Sequence, residues 1–233
     1  MTKELIVVLP IYNEEEIIQI VIKDWVTTLR ALSIDFELRA YNDGSTDATL
    51  RKLQEIAPIY QELTIIDKRN AGHGPTILKG YREADANYIF QVDSDNEMKA
   101  KYFEDLWKER ANYDFIIGRR AFSFKVPFPR RVVSFMAKKV VHFFYGKGIS
   151  DVNAPYRLMK KDQFISIYAT IPSDTFAPNV IISGMAIRQK LRVKDCFIPT
   201  DFRATGTVSI QRIKLLKVAM QSFRETIAFA RRH

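Results

Sequence analysis

Cysteine is almost missing from this 233-residue chain, with Cys196 the only one. That excludes an intramolecular disulfide and a Cys-based metal site, and with no redox motif around the thiol a reducing compartment fits best. No stretch reaches the ~18 to 20 apolar residues that cross a bilayer. No apolar h-region or cleavage site precedes the strand-like run at residues 5–9, so no secretory signal is expected and the cytoplasm is the expected address. Internal repeats, low-complexity tracts and linkers are lacking too. With 47% apolar content the chain can bury one substantial core, so residues 1–233 are expected to form a single domain.

Acids are missing from one long stretch. Residues 119–147 hold eight Lys or Arg and no acid, and residues 209–233 hold six against one. Those two segments carry +8 and +5 of an overall +9, which leaves the rest of the chain at −4. Local basicity of this kind suits nucleic acid, anionic lipid headgroups or a phosphorylated substrate, and equally a merely solvated positive face. No RRM, zinc-finger or helix-turn-helix signature supports a nucleic-acid-binding module. The first strand-like run is followed by PIYNEE and not by a G-x-G-x-x-G turn, which counts against a Rossmann oxidoreductase.

What is present is an alternation. Residues 5–9, 36–42, 63–67, 88–92 and 115–118 are apolar runs of strand character, and the segments 15–32, 47–56, 75–86 and 101–112 between them read as helices. That pattern predicts an α/β fold with a mostly parallel sheet, helices on both faces and ligands at the carboxyl ends of the strands. The second half is less regular. Helices are expected at 132–144, interrupted by Lys138 and Lys139, and at 178–191, with a strand at 193–198. A tail helix from 213 places Leu216, Met220, Phe223, Ile227 and Ala230 at helical spacing.

The residues at the strand ends are not ordinary loop filler. Pro10, Tyr12, Asn13 and Glu14 follow the first strand, Asn42, Asp43, Gly44, Ser45, Thr46 and Asp47 the second, and Asp93, Asp95 and Glu97 the fourth. Singly, each has a plain explanation: Asn13 or Asp47 as a helix N-cap, Gly44 and Ser45 as a turn, acids as complements to a helix dipole. Asp47 is assigned mainly to capping. Together on one rim they point to a binding site. Asp93, Asp95 and Glu97 alternate, so an extended segment projects them to one side. Two carboxylates one residue apart, on a turn after a buried strand, can hold a ribose and a hard cation such as Mg²⁺ or Mn²⁺, with phosphates in the remaining coordination positions.

The runs VVLPIYNEEEII, YNDGSTDAT, RNAGHG and FQVDSDNE, in this order and at these spacings, resemble family 2 glycosyltransferases of the GT-A fold along nearly the whole chain. The resemblance implies a nucleotide-sugar-binding half over 1–118, with Pro10, Tyr12, Glu14 and Asp43 on base and ribose and Asp93 and Asp95 as the DxD. Asn42 stands where an acid is common, which leaves the base open. The segments IIGRRAFSFKVPFPRRVVSF, SDVNAPYRLMKK and FRATGTVSI make the second half most similar to dolichyl-phosphate mannose synthases and bacterial polyprenyl-phosphate glycosyltransferases. By that resemblance 119–208 is the acceptor side, Arg120, Arg130, Ser134 and Arg203 bind a lipid-linked phosphate, with Arg131 able to exchange roles with Arg130, and Glu97 joins the metal shell. Asp151 and Arg157 are expected to orient donor sugar and pyrophosphate, an internal ion pair being the competing explanation.

The implied reaction is transfer of a hexose, with inversion, from a nucleotide diphosphate sugar to a polyprenyl phosphate, with Asp95, Arg120, Arg130 and Arg203 as the catalytic set. A phosphate acceptor is already anionic and needs no general base, whereas a saccharide hydroxyl does. In that rival reading Asp174, otherwise a turn residue before Pro178, is the base. Phe122, Phe124, Phe128, Phe135, Phe143 and Phe144 stand among the bases, where they cover isoprenoid or lie in a membrane interface, about half being expected in the core. The basic amphipathic segment 209–233 is assigned equally to an anionic membrane surface, where a membrane-anchoring partner would also fit, and to a second subunit in a homodimer. His73, between the glycines of AGHG, is assigned to loop conformation rather than to a phosphate or sugar. His142 and His233 are too isolated for a metal site.

Overall fold

The computed structural model describes residues 2–120, 128–200 and 212–232, with side chains from 131 and from 218 onward in the helices that begin at 128 and 212. Strands β1 (Lys3–Ile11), β2 (Phe36–Asp43), β3 (Leu63–Lys68), β4 (Ala86–Gln91), β5 (Phe115–Arg120), β6 (Arg157–Lys160) and β7 (Val193–Ile198) form one sheet in the order β3-β2-β1-β4-β6-β5-β7. β6 runs antiparallel to β4 and β5, and the other pairings are parallel. The helices are α1 (Ile18–Ala31), α2 (Thr49–Ile56), α3 (His73–Glu83), α4 (Phe103–Lys108), α5 (Phe128–Phe144), α6 (Lys161–Thr170), α7 (Pro178–Arg188) and α8 (Arg212–Arg232).

β1 lies inside a parallel sheet covered on both faces, which explains why it reads as a continuous apolar run. Its alternate residues feed two cores. Leu5, Val7, Leu9 and Ile11 pack with Trp25 and Leu29 of α1, while Ile6 and Val8 pack with Ile77 and Tyr81 of α3 and Ile181 of α7. After β1 the chain moves outward to β2 and β3, and α3 then returns it to the other side of β1 as β4. The direction of winding therefore reverses between β1 and β4, the place where ligands bind in open α/β sheets.

The mostly parallel sheet agrees with the sequence, and several element boundaries differ. α3 begins at His73 and stops at Glu83, because Ala84 is already extended and Ala86 opens β4. The helix expected over 101–112 is reduced to Phe103–Lys108 behind a 3-10 turn. β6 and α6 occupy a segment for which no element was expected. α5 starts four residues early and runs through Lys138 and Lys139 without interruption. α8 packs on the chain's own α5 and α7. Its Ala219, Ser222, Thr226, Phe229 and Ala230 are buried. Tyr145 Oη donates to Thr226 O at 2.8 Å and Arg188 Nη1 to Ala230 O at 2.9 Å, so the helix is tied by backbone acceptors as well as by its apolar face.

Candidate active site

β1 and β4 part company at the reversal point. Their ladder ends at the pair Val8↔Gln91, and beyond it Pro10 still pairs with Tyr41 of β2. Pro10 has no N–H to offer a further ladder, which suits a strand whose β4 side has opened. Tyr12, 44% exposed, stands on one lip and the segment 93–97 on the other.

Side chains lock the two loops beside this opening. Asn13, at φ 54°, donates its N–H to Ser45 Oγ at 3.0 Å and accepts the Thr46 N–H on Oδ1 at 2.8 Å. Glu14 N–H donates to Thr49 Oγ1 at 2.9 Å. Asp47 accepts the Thr49 N–H at 3.0 Å and the Glu15 N–H at 3.2 Å, and since the N-cap of α2 is Ala48, without a side-chain cap bond, Asp47 ties the two loops together where the sequence suggested a cap. Gly44 has φ 66°, and a Cβ there would lie 2.7 Å from Asn70 N, so the turn admits glycine and little else.

Asp43 has more to do than the sequence indicated. It is buried, accepts the N–H of Ala71 on Oδ1 at 2.8 Å and that of Gly72 on Oδ2 at 2.9 Å, and pairs with Lys68, which also reaches Thr76. Burial pushes its carboxyl up, but Lys68 and these donors outweigh it and hold the group below the ordinary carboxylate value. Asp43 thereby staples the RNAGHG loop to β2. Neighbouring Asn42 donates from Nδ2 to Asp67 at 2.7 Å, while its buried Oδ1 has no partner among the described residues.

That staple delivers His73 to the acidic cluster. His73 Nε2 lies 2.9 Å from Asp93 Oδ1, and a carboxylate only accepts, so this nitrogen carries the proton. Partial withdrawal from water opposes a charge on the ring, but Asp93, then Asp95 and Asp43, outweigh it and raise its pKa. The structure thus gives His73 a contact at the site where the sequence suggested loop conformation. The segment after Asp93 corrects a second expectation. It turns at Ser94 and Asp95, Asn96 takes φ 59°, and Glu97 N–H donates to Asp95 Oδ1 at 3.1 Å. The three acidic residues therefore stand on a tight turn and not on an extended segment.

Across the cleft, Arg120 at the end of β5 donates from Nε to Asp151 Oδ2 at 2.8 Å and from Nη2 to Oδ1 at 3.2 Å. Burial opposes its charge, yet Asp151 and then Asp93 and Glu97 raise its pKa, which places Arg120 within the field of the acidic turn. Asp151 is therefore in an ion pair, with Arg120 and not with Arg157. Arg157 is fully buried and donates to the carbonyls of Ala154, Val152 and Asn179. It braces the core through these carbonyls, closed off from solvent. Burial lowers its pKa.

Of the residues expected to bind the acceptor, Ser134 is exposed and Arg131 partly buried on α5. The side chain of Arg130, and Arg203 with Phe122 and Phe124, lie outside the described residues. Val132, Phe135, Met136 and Phe143 stand exposed along one line of α5, Phe143 at 82%, and Lys139 Nζ sits 5.3 Å from the centre of the Phe135 ring. Asp174 is exposed in the segment before α7. That segment presses on the donor side, for a Cβ on Gly74 would meet Phe176 O at 2.1 Å and Thr175 O at 2.4 Å.

A hard cation fits the donor set. Asp93 and Asp95 present carboxylate oxygens on one turn, and among the described residues both bonds to Asp93 fall on Oδ1, leaving Oδ2 for a metal. Among the described residues no three His, Cys, Asp or Glu side chains close into a cage. Such an open arrangement suits a cation whose other positions are filled by phosphates. Among the described residues no helix is long and apolar enough to cross a membrane.

Comparison with known proteins agrees with this architecture. The chain is 23% identical over 190 residues to the undecaprenyl-phosphate 4-deoxy-4-formamido-L-arabinose transferase of Proteus mirabilis, covering 81% of this chain and 58% of that protein. It is 22% identical over 218 residues to the transferase of the same name from Pectobacterium carotovorum, covering 93% and 65%. The chain therefore spans less than two thirds of the length of these relatives. Among solved structures, a mannosyltransferase from Pyrobaculum calidifontis in complex with GDP-Man and Mn²⁺ matches with a TM-score of 0.67 at 14% identity, over 100% of this chain and 65% of that one. Glucosyl-3-phosphoglycerate synthase from Mycobacterium tuberculosis, in complex with Mn²⁺, UDP and phosphoglyceric acid, matches with a TM-score of 0.70 at 14% identity, over 98% and 78%. At such identities the likeness is one of fold, and the fold is the GT-A fold expected from the sequence. Residues 6–170 match the model of glycosyl transferase family 2, and with most of the chain inside that match the protein belongs to this family.

Proposed function

We propose that this chain is the catalytic domain of an inverting, metal-dependent hexosyltransferase that moves sugar from a nucleotide diphosphate to a polyprenyl phosphate. The observation that carries the reading is the position of Asp93, at the reversal point of the sheet with His73 2.9 Å away on one side and Arg120 within its field on the other. A diphosphate and an anionic acceptor both find partners there.

Pro10, Tyr12, Glu14 and Asp43 line the donor end in this reading, and the unpartnered Asn42 Oδ1 accepts an N–H of the base. Asp93, Asp95 and Glu97 would hold Mg²⁺ or Mn²⁺ together with the donor phosphates, the three side chains alone not forming a cage. When bound, the cation supplies neutralisation of the charge that grows on the departing diphosphate. The His73 N–H holds Asp93 on the same side. An oxygen of the acceptor phosphate attacks C1 in line, the bond from C1 to the diphosphate oxygen breaks, and the configuration inverts. No proton is transferred, because the acceptor is already anionic at pH 7. Arg120, Arg130, Arg131, Ser134 and Arg203 orient that phosphate, guanidinium forks matching its oxygens.

The acceptor class rests on similarity to transferases named for undecaprenyl phosphate and on the exposed apolar line of α5 among basic residues. We place that line in the interface of an anionic membrane, on its cytoplasmic face, with Phe143 and Phe135 among the acyl chains and Lys139 at the headgroups. Incubation with labelled nucleotide sugars and polyprenyl phosphate tests the proposal. Label extracted into organic solvent supports it, whereas transfer confined to glycans favours a hydroxyl acceptor with Asp174 as base.

A further inference from the structure

Gln91 is a polar residue in an apolar place. It is fully buried, on the face of β4 that also carries Ile89, against a core that includes Val8, Ile77, Tyr81 and Ile181. A buried amide without partners is costly, so its bonds must be accounted for. Nε2 donates to Asp93 Oδ1 at 2.9 Å. Oε1 accepts from Asn179 Nδ2 at 3.0 Å and lies 3.2 Å from Tyr81 Oη, whose hydroxyl also reaches Asn179 Oδ1 at 2.9 Å.

The direction of every bond in this chain follows from one fact. Asp93 is a carboxylate and accepts only, so Gln91 must turn its NH₂ toward it and its carbonyl away. Asn179 must then donate to that carbonyl, and the Tyr81 hydroxyl donates between the Asn179 oxygen and the same carbonyl. Asn179 is further fixed through its backbone carbonyl, which accepts from the buried Arg157 at 3.2 Å. We infer that Gln91, locked by Asn179, is a positioning residue that occupies Asp93 Oδ1 and so sets the rotamer in which Oδ2 meets the cation. This rests on the proposed metal-dependent reaction. Residues that hold a metal ligand in this way change metal affinity by about 10–100-fold when lost.

The test is the affinity of the full chain for Mn²⁺ in the presence of saturating UDP or GDP, measured by titration beside the melting temperature of the metal-free protein. Gln91→Met keeps length and apolar bulk but cannot donate, and its Mn²⁺ Kd is expected to rise by about tenfold or more. Asn179→Leu combined with Tyr81→Phe, which removes both donors to Gln91 Oε1, is expected to shift Mn²⁺ Kd in the same direction and serves if Gln91→Met fails to fold. Ile89→Ala, two residues back on the same strand face, is the control for lost stability and is expected to leave Mn²⁺ Kd unchanged. A Kd within twofold of wild type in a folded Gln91→Met protein overturns the inference, as does an equal loss in Ile89→Ala. A wild-type chain that binds no Mn²⁺ with either nucleotide overturns the proposed function itself.

Discussion

Asp151 closes both carboxylate oxygens on the guanidinium of Arg120, at 2.8 and 3.2 Å, beside the acidic turn. A fork held this way is aimed before any ligand arrives, which lowers the cost of orienting it during reaction. Arg120→Lys keeps the charge and loses the fork. We expect kcat to fall about a hundredfold, the scale for losing one aimed donor to developing charge, with the folding stability little changed. Asp151→Asn is expected to give a smaller loss in kcat with Arg120 intact. Initial rates with labelled nucleotide sugar measure both.

Asp43 predicts a pH signature. Its folded pKa lies below the ordinary carboxylate value, so its bonds to Lys68, Ala71 and Gly72 stabilise the protein above about pH 4, and that contribution disappears as pH falls through the lower folded value. Asp43→Ala leaves Lys68 largely buried without its partner, at a cost of about 3 kcal/mol near neutrality. Urea unfolding at pH 7 and at progressively lower pH is expected to show a gap between variant and wild type that is widest at pH 7 and narrows as pH falls below about 4.

Much of the first half was legible because β1, β2 and β4 announce themselves as apolar runs and end in polar clusters. The tie from His73 to Asp93 was not, since the AGHG glycines account equally for a tight loop and for a contact 20 residues away. β6 escaped notice because it is four residues long, follows Pro155, and begins with an arginine that only the carbonyls of Ala154, Val152 and Asn179 make tolerable in a core. α6 carries too short an apolar pattern, Phe164, Ile167 and Tyr168, to stand out. Gln91 gave no signal at all. A glutamine at the end of a strand reads as a residue leaving the core, and only the positions of Asn179 and Tyr81 show that it stays inside.

α8 predicts a stability effect of its own. Phe229 is buried against the core shared by α5 and α7, so Phe229→Ala is expected to destabilise the chain by about 3–5 kcal/mol, read from urea unfolding. A helix serving only a membrane would show no change in the absence of lipid.

The exposed line of α5 predicts the opposite combination. Phe143→Glu alters a side chain that is 82% exposed, so stability is expected to stay within about 0.5 kcal/mol of wild type. Binding to vesicles containing phosphatidylglycerol is expected to fall at least threefold in a sedimentation assay, because an acid replaces apolar area at the headgroup level.

The most direct measurement of metal-dependent donor binding at Asp93 is the melting temperature of the chain with UDP, GDP and their sugars, with and without Mn²⁺. One nucleotide at about a hundredfold over its Kd, together with Mn²⁺, is expected to raise the melting temperature by about 5–10 °C, with little shift when metal is withheld. Asp93→Ala is expected to remove that increment. No metal-dependent shift with any nucleotide, or an undiminished shift in Asp93→Ala, would contradict it.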